Sequence, residues 1–270
     1  MTEATTTGVR WSAVAEAYRD TFAPLCAGTN DSVLRAAGLH DEVDPRVRVL
    51  DVGAGTGDLA AAVLRAGASV TVVDPDPQML AVAARTAPGA DAHEAGLPDL
   101  PFPDDCFDAV LANFVVNHVP DPRAGIRELA RVARPEGRVV TTVWPSGQNA
   151  QSRLWAAVLE ASGATPVPSA RLPEEMDFPR TVRGLAALMS QAGLQRVCAG
   201  TIHWEHRGDA GSLWRGAEAG IGGIGTTVLA QTAAVRNRMR AEYERLVAPL
   251  LDEGELAFRT TALLAVGTRR

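Results

Sequence analysis

Apolar positions change their period along the chain. Over residues 11–25, WSAVAEAYRDTFAPL, Trp11, Val14, Ala15, Tyr18 and Phe22 recur at helical spacing. A second helix is expected over 31–39, opened by Asn30-Asp31-Ser32 and stopped by a glycine turn. From residue 46 the pattern becomes an alternation of short β-branched runs with amphipathic stretches. VRVLDV (47–52), SVTVVD (69–74), FDAVLANF (107–114) and GRVVTTVW (137–144) are apolar on both sides, as strands covered on both faces of a parallel sheet must be. A weaker strand is expected over 90–94. Residues 57–66, 77–87 and 122–134 read as helices, the second opened by Pro77. The third turns Ile126, Leu129, Ala130 and Val132 toward the sheet. This order, with short connections, predicts an α/β fold: a Rossmann-like, doubly wound, mostly parallel seven-stranded sheet.

Beyond Trp144 the periodicity loosens. Helices are expected over 152–162 and 181–192, a strand over 194–206, a long helix over 226–250 and a last strand over 255–268. The chain then divides into an N-terminal helical lid (1–45), a core (46–144) and the rest of the sheet (145–270). Cap insertions fall at about 145–180 and 207–250.

Composition narrows the partners. Hydrophobic residues make up 46% of the 270, enough for a sizeable core. A net charge of −6 with scattered arginines argues against nucleic acid, because phosphate neutralisation needs clustered cations. No run of 18 apolar residues predicts a membrane span, and MTEATTTGVRW does not read as a signal peptide. Cys26, Cys106 and Cys198 are far apart and predict neither a disulfide framework nor a zinc site. A cytoplasmic protein is expected, monomer or homodimer, with no metal. In HWEH, His203 and His206 stand three apart, so on a strand they face opposite ways and do not converge on an ion. The arginines at 236, 238, 240 and 245 share a helix with Glu242 and Glu244 and read as a solvated face.

Candidate chemistry centres on LDVGAGTGDLA (50–60), which closes the first strand and opens a helix. Glycines 53, 55 and 57 permit a tight turn and close approach of a ligand to the backbone. A dinucleotide loop places a third glycine at position 58, where this chain has Asp58. Asp51, at the strand end, suits the cationic amino group of S-adenosylmethionine (SAM) better than a diphosphate, which it would repel. Asp74, 21 residues beyond Gly53, can accept both ribose hydroxyls.

LDVGAGTG, VTVVDPDPQML, LPFPDDCFDAVLANFVVNHVPDP and ELARVARPEGRVV, in order over about 47–144, resemble class I SAM-dependent methyltransferases of the small-molecule type, the methyltransferase-11 and ubiquinone-biosynthesis-like group. The resemblance implies SAM as cofactor, S-adenosylhomocysteine as product, and no metal. It implies that Asp51, Gly53, Ala54 and Gly55 hold the methionine portion and Asp74 the ribose. Pro75 and Met79 would flank the adenine, with Gly96 and Leu97 beside it, and Asn113 and Phe114 would lie near the amino-acid tail. Relatives commonly carry an acid where this chain has Gly96, so backbone atoms, Glu94 or Asp99 would have to meet the adenine amino group.

The acceptor would be a small metabolite. Five tryptophans against two tyrosines, mostly outside the strands, predict an aromatic cap. Expected acceptor contacts are Trp11, Tyr18, Asn117, His118, Trp144 and Trp214. Tyr18 would also meet the SAM carboxylate if the first helix closes as a lid. His118 is the expected general base for a hydroxyl acceptor, its other role being packing at the pocket mouth. An apolar or aromatic acceptor, methylated on oxygen ahead of nitrogen, carbon or sulfur, is the leading expectation, with natural-product biosynthesis as a setting. The alternatives are a SAM-binding cyclase or decarboxylase and a non-catalytic partner protein.

Overall fold

The computed structural model describes residues 13–40, 43–147, 149–168 and 171–270. In the middle of its sheet, β1 (Arg48–Val52) pairs in parallel with β2 (Ser69–Asp74) on one side and β4 (Phe107–Asn113) on the other. β3 (Asp91–Glu94) extends the sheet beyond β2, and β5 (Ala133–Val143) beyond β4, again in parallel. Two long strands finish that edge antiparallel: β8 (Glu255–Thr268) pairs with β5, and β6 (Gln195–Gly208) pairs with β8. The order is therefore β3-β2-β1-β4-β5-β8-β6.

An eighth strand goes beyond the seven expected. β7 (Leu251–Asp252) folds back on β8 through Glu253 and Gly254, both at positive φ, the backbone of a tight hairpin turn. Two residues are too few to show as an alternation.

Helices α1 (Ala15–Thr21), α2 (Ala23–Ala27) and α3 (Asn30–Ala37) precede the sheet. The single helix expected over 11–25 is thus broken at Phe22, with Pro24 in the first turn of α2, where its missing N–H costs nothing. Within the core lie α4 (Asp58–Arg65), α5 (Pro77–Thr86) and α6 (Pro122–Val132). Both α5 and α6 start on an Asp-Pro pair. Asp76 caps Gln78 and Met79, Asp121 caps Arg123 and Ala124, and the proline that follows has its φ preset for a helix.

Side chains of β1 serve both faces. Leu50 and Val52 join Ile126 and Leu129 of α6, while Val49 joins Val33 of α3 and Leu59 and Val63 of α4. Each such burial contributes about 1.5–3 kcal/mol. The first cluster also takes in Leu185, Leu188 and Met189 of α8 (Val182–Gln191).

A third core lies outside the sheet. It gathers Trp155 of α7 (Ala150–Ser162), Trp214 of α9 (Ala210–Glu218), Val228 of α10 (Gly222–Ala230) and Met239 and Tyr243 of α11 (Ala233–Val247) around Leu256 and Phe258 of β8. The long helix expected over 226–250 is two helices, because Thr232 caps a new start by accepting from the Val235 N–H. No helix among the described residues is long and apolar enough to cross a membrane.

Connections leave β1 toward β2 and β3 but leave β4 toward β5. The crevice at the carboxyl ends of β1 and β4 is therefore the switch point where a sheet of this kind takes its ligand.

Candidate active site

A cavity of about 720 Å³ opens at that switch point. Its floor is the loop after β1. Gly53, Gly55 and Gly57 all lie at positive φ, which glycine adopts without strain. A Cβ on Gly53 would lie 2.6 Å from Val115 Cγ2, and one on Gly57 would lie 2.9 Å from the Ala83 backbone. A Cβ on Gly55 would meet no protein atom within 4 Å and would project into space open to a ligand.

Asp74 ties the loop down. Its Oδ2 accepts from the Gly55 N–H at 2.9 Å and its Oδ1 from the Asp76 N–H at 2.9 Å. The Ala54 N–H donates to the Val73 carbonyl at 3.0 Å, so Ala54 holds the loop to β2 without lining the cavity. Burial pushes the Asp74 carboxyl up to about 6 against the pull of those two N–H donors. Asp51 is buried more completely. Its Oδ2 has no partner, and burial, then the neighbouring Asp74, push it up to about 8. An uncompensated buried carboxyl at a strand end calls for a ligand that brings positive charge.

Pro75, Met79, Gly96 and Leu97 line the same end. Glu94 and Asp99 are exposed and do not line it, so no acid side chain reaches the adenine position from that segment. Asn113 and Phe114 line the cavity from the end of β4. Asn113 Oδ1 receives the hydroxyls of Thr142 at 2.5 Å and Thr29 at 3.0 Å. An unpartnered buried carboxylate oxygen, a glycine with open space before it and a strand-end acid on the neighbouring strand together fit the amino-acid and ribose portions of SAM.

At its other end the cavity is aromatic. Phe114 takes a left-handed backbone (φ 59°), rare for a bulky residue, and so turns the chain sharply off β4. Its ring stacks on Trp144 at 4.1 Å between centroids, and Trp144 meets Phe22 at 6.5 Å and Trp204 at 6.0 Å. Tyr18, Phe22 and Cys26 stand four apart and line the cavity from α1 and α2. The Tyr18 hydroxyl lies 3.6 Å from Cys26 Sγ, and burial raises both groups, the thiol to about 12. Val115, Val119 and Pro120 continue the apolar wall, and Ile221 with Gly222 reach it from the loop before α10.

His118 stands among them. Burial, then the Arg180 guanidinium, lower its pKa to about 4, so the imidazole is neutral at neutral pH.

The structure thus brings together Tyr18, Gly53, Gly55, Asp74, Pro75, Met79, Gly96, Leu97, Asn113, Phe114, His118 and Trp144, whereas Asp51, buried in β1, is not among the lining residues. It does not bring Trp214, which packs on Tyr243 and Trp155 at 5.6 and 6.2 Å inside the third core. Its ring, expected in an aromatic cap because it lies outside the strands, serves helix packing instead. Asn117 does not line the cavity, and its Oδ1 is buried without a partner. Trp11 lies outside the described residues. Phe22 and Cys26 were legible as one helix face shared with Tyr18, but Ile221 and Gly222 carry no signal beyond a glycine-rich stretch. Among the described residues, no three His, Cys, Asp or Glu side chains group as metal ligands.

Residues 50–141 match a methyltransferase domain. The domain covers the glycine loop, Asp74, Gly96, Asn113 and His118, as the resemblance over 47–144 implied. A demethylmenaquinone methyltransferase of Clavibacter sepedonicus is 42% identical over 132 residues, 47% of this chain and 53% of that relative. The chain therefore matches about half the length of that relative. The YcgJ protein of Bacillus subtilis shares the fold with a TM-score of 0.56 at 20% identity, over 90% of this chain and 98% of that one. The cyclase SpnF does so with a TM-score of 0.53 at 20% identity, over 90% and 80%.

Proposed function

We propose that the chain is a SAM-dependent methyltransferase whose acceptor is a small, apolar or aromatic metabolite, methylated on oxygen ahead of nitrogen, carbon or sulfur. The observation that carries this reading is a single cavity with two unlike ends. One end holds Gly53, Gly55 and Asp74, with Asp51 buried in β1 two residues before Gly53, and the other is walled by Phe22, Phe114 and Trp144. α1 and α2 cover the acceptor end, and of the expected cap insertions at 145–180 and 207–250 only Ile221 and Gly222, at the start of α10, reach it.

SAM, when bound, supplies a methyl group activated by its sulfonium. The chain's own task is then alignment and exclusion of water, since a displacement of this kind needs in-line approach in a dry pocket. Asp51 takes the ammonium and Asp74 the ribose hydroxyls. Met79 and Pro75 press the adenine, a thioether against a ring being favourable. Phe114 and Trp144 hold the acceptor ring by stacking. His118, neutral throughout the physiological range, accepts a hydroxyl proton from the acceptor. That proton becomes strongly acidic only as the new bond forms, so a weakly basic imidazole is sufficient.

The demethylmenaquinone named for the Clavibacter relative supports an apolar ring as the acceptor class. The test is transfer of a radiolabelled methyl group to quinols and phenols, with S-adenosylhomocysteine formed in step with product. The cyclase among the structural neighbours favours one second reading, a reaction that leaves the methyl group in place. Product without S-adenosylhomocysteine would establish it.

A further inference from the structure

β8 outruns its neighbour on one edge. β5 ends at Val143, beside Leu263, and β7, on the same edge because β6 fills the other, pairs only with Glu255 and Leu256. Over 257–262 that edge has no strand among the described residues, and the chain leaving Trp144 turns away into α7. A second cavity, of about 200 Å³, opens in this gap. Its walls include Leu25 of α2, Ala150 and Gln151 in the first turn of α7, and Phe258 and Thr260 of β8.

Two rings separate it from the 720 Å³ cavity, since Phe22 and Trp144 line both. They meet edge to face with centroids 6.5 Å apart. Trp144 is the fixed member of the pair, for Phe114 stacks on it at 4.1 Å and Trp204 lies against it at 6.0 Å. Phe22 stands half-buried at the break between α1 and α2, with Tyr18 as its other ring contact at 5.5 Å. It is therefore the side chain that can turn aside, from one staggered rotamer to another.

The second chamber is apolar in character. Phe258 and Thr260 share one face of β8, so Arg259 between them sends its side chain to the opposite face. The Thr260 hydroxyl donates to the Phe258 carbonyl at 3.3 Å, and the Asn149 amide oxygen accepts the Ser152 N–H at 2.7 Å. Among the described residues no acid lines the chamber. A dry cavity of about 150 Å³ holds one benzene, so this chamber takes a single ring. Sites for a drug-sized ligand run to about 300–1,000 Å³. SAM is itself of that size, and with one acceptor ring it occupies the larger cavity. A second acceptor ring has to lie beyond Phe22.

We infer that the chamber behind Phe22 and Trp144 is a second acceptor subsite, that it takes an apolar ring joined by a short link to the ring being methylated, and that Phe22 admits it. This rests on the reading of the larger cavity as a SAM and acceptor site, and it narrows the acceptor to a two-ring molecule.

Calorimetry on the full chain, saturated with S-adenosylhomocysteine, compares phenol with 4-benzylphenol, which carries a second ring on a one-carbon link. 4-Benzylphenol is expected to bind at least about tenfold tighter, as burial of one more ring gives. Ala150→Phe fills the chamber and should abolish that preference, weakening 4-benzylphenol about tenfold and leaving phenol within about twofold. Gln151→Trp fills it from the next position and should do the same, with unchanged S-adenosylhomocysteine affinity showing that each variant is folded. Equal affinities for the two phenols in the wild type, or a preference that survives both variants, overturn the inference while the acceptor reading stands. A wild-type chain that binds neither phenol overturns that reading and the inference with it.

Discussion

The two ends of the cavity are built by different means. At the Asp74 end, the wall comes from backbone and short polar side chains at the ends of β1, β2 and β4, each within a few residues of a strand terminus. At the Trp144 end it comes from large rings and apolar side chains gathered from α1, α2, the end of β5 and the loop before α10. The first end is fixed by the register of a buried sheet and tolerates little change. The second is fixed by packing among helices, which accepts different shapes at modest cost. A fold built this way can keep one ligand constant while another varies.

The largest effect expected to break this contrast is at Asp74. Asp74→Ala removes the acceptor for Gly55 and for the ribose, and SAM affinity should fall at least about a hundredfold, given about 1.5–3 kcal/mol for each hydrogen bond to a charged group. Calorimetry with unchanged affinity would remove Asp74 from the cofactor end. His118→Ala should lower kcat by about a hundredfold with SAM affinity intact, the lower range for proton transfer by a positioned side chain. The wild-type rate should stay flat down to about pH 5, because the imidazole takes up its proton only near pH 4. A rate that falls through pH 6.5 would show a histidine with an ordinary pKa.

Phe22→Ala should raise the acceptor KM about tenfold while SAM binding stays within twofold, since an aromatic pair contributes about 0.5–1.5 kcal/mol beyond its buried area. A parallel loss of SAM affinity would dissolve the distinction between the two ends.

A smaller effect appears in stability. The folded chain holds a proton on Asp51 up to about pH 8 and on Asp74 up to about pH 6, well above the range of an unfolded aspartate. The stability linked to those protons is complete below about pH 4 and is lost as pH rises through 6 and then 8. His118 acts in the opposite sense, its share being lost as pH falls from 6.5 toward 4. Thermal melts between pH 6.5 and 8 isolate Asp51. The ligand-free chain should lose about 1–2 kcal/mol across that window, and Asp51→Asn should flatten the slope.

Much of the polar end was legible because its residues sit within the strand-loop-helix stretches that the hydrophobic pattern itself marks. Asp51, Gly53, Gly55 and Asp74 follow directly from where β1 and β2 stop. Thr142 and Thr29 escaped notice because their hydrogen bonds to Asn113 depend on the β4–β5 register and on the placement of α3, which no local spacing encodes. The aromatic end was only half legible. Trp144 follows β5 and so was foreseen, and Phe22 shares a helix face with Tyr18. Trp214 was misplaced because aromatic content outside the strands does not tell a pocket wall from the interior of a helical cluster. Ile221 and Gly222 reach the cavity only through the packing of α9 on α1, a long-range contact.

The position of β8 has a consequence for assembly. It lies between β5 and β6 in the sheet, yet it follows the whole helical cluster in the chain, and it lends Leu263 to the sheet's core and Phe258 to the cluster's. During synthesis the five parallel strands and the glycine loop can form a native arrangement while β6 still has no partner. The aromatic end then closes late, when one strand locks sheet and helical cluster in a single event, and until that moment the growing chain exposes an open strand edge beside β5.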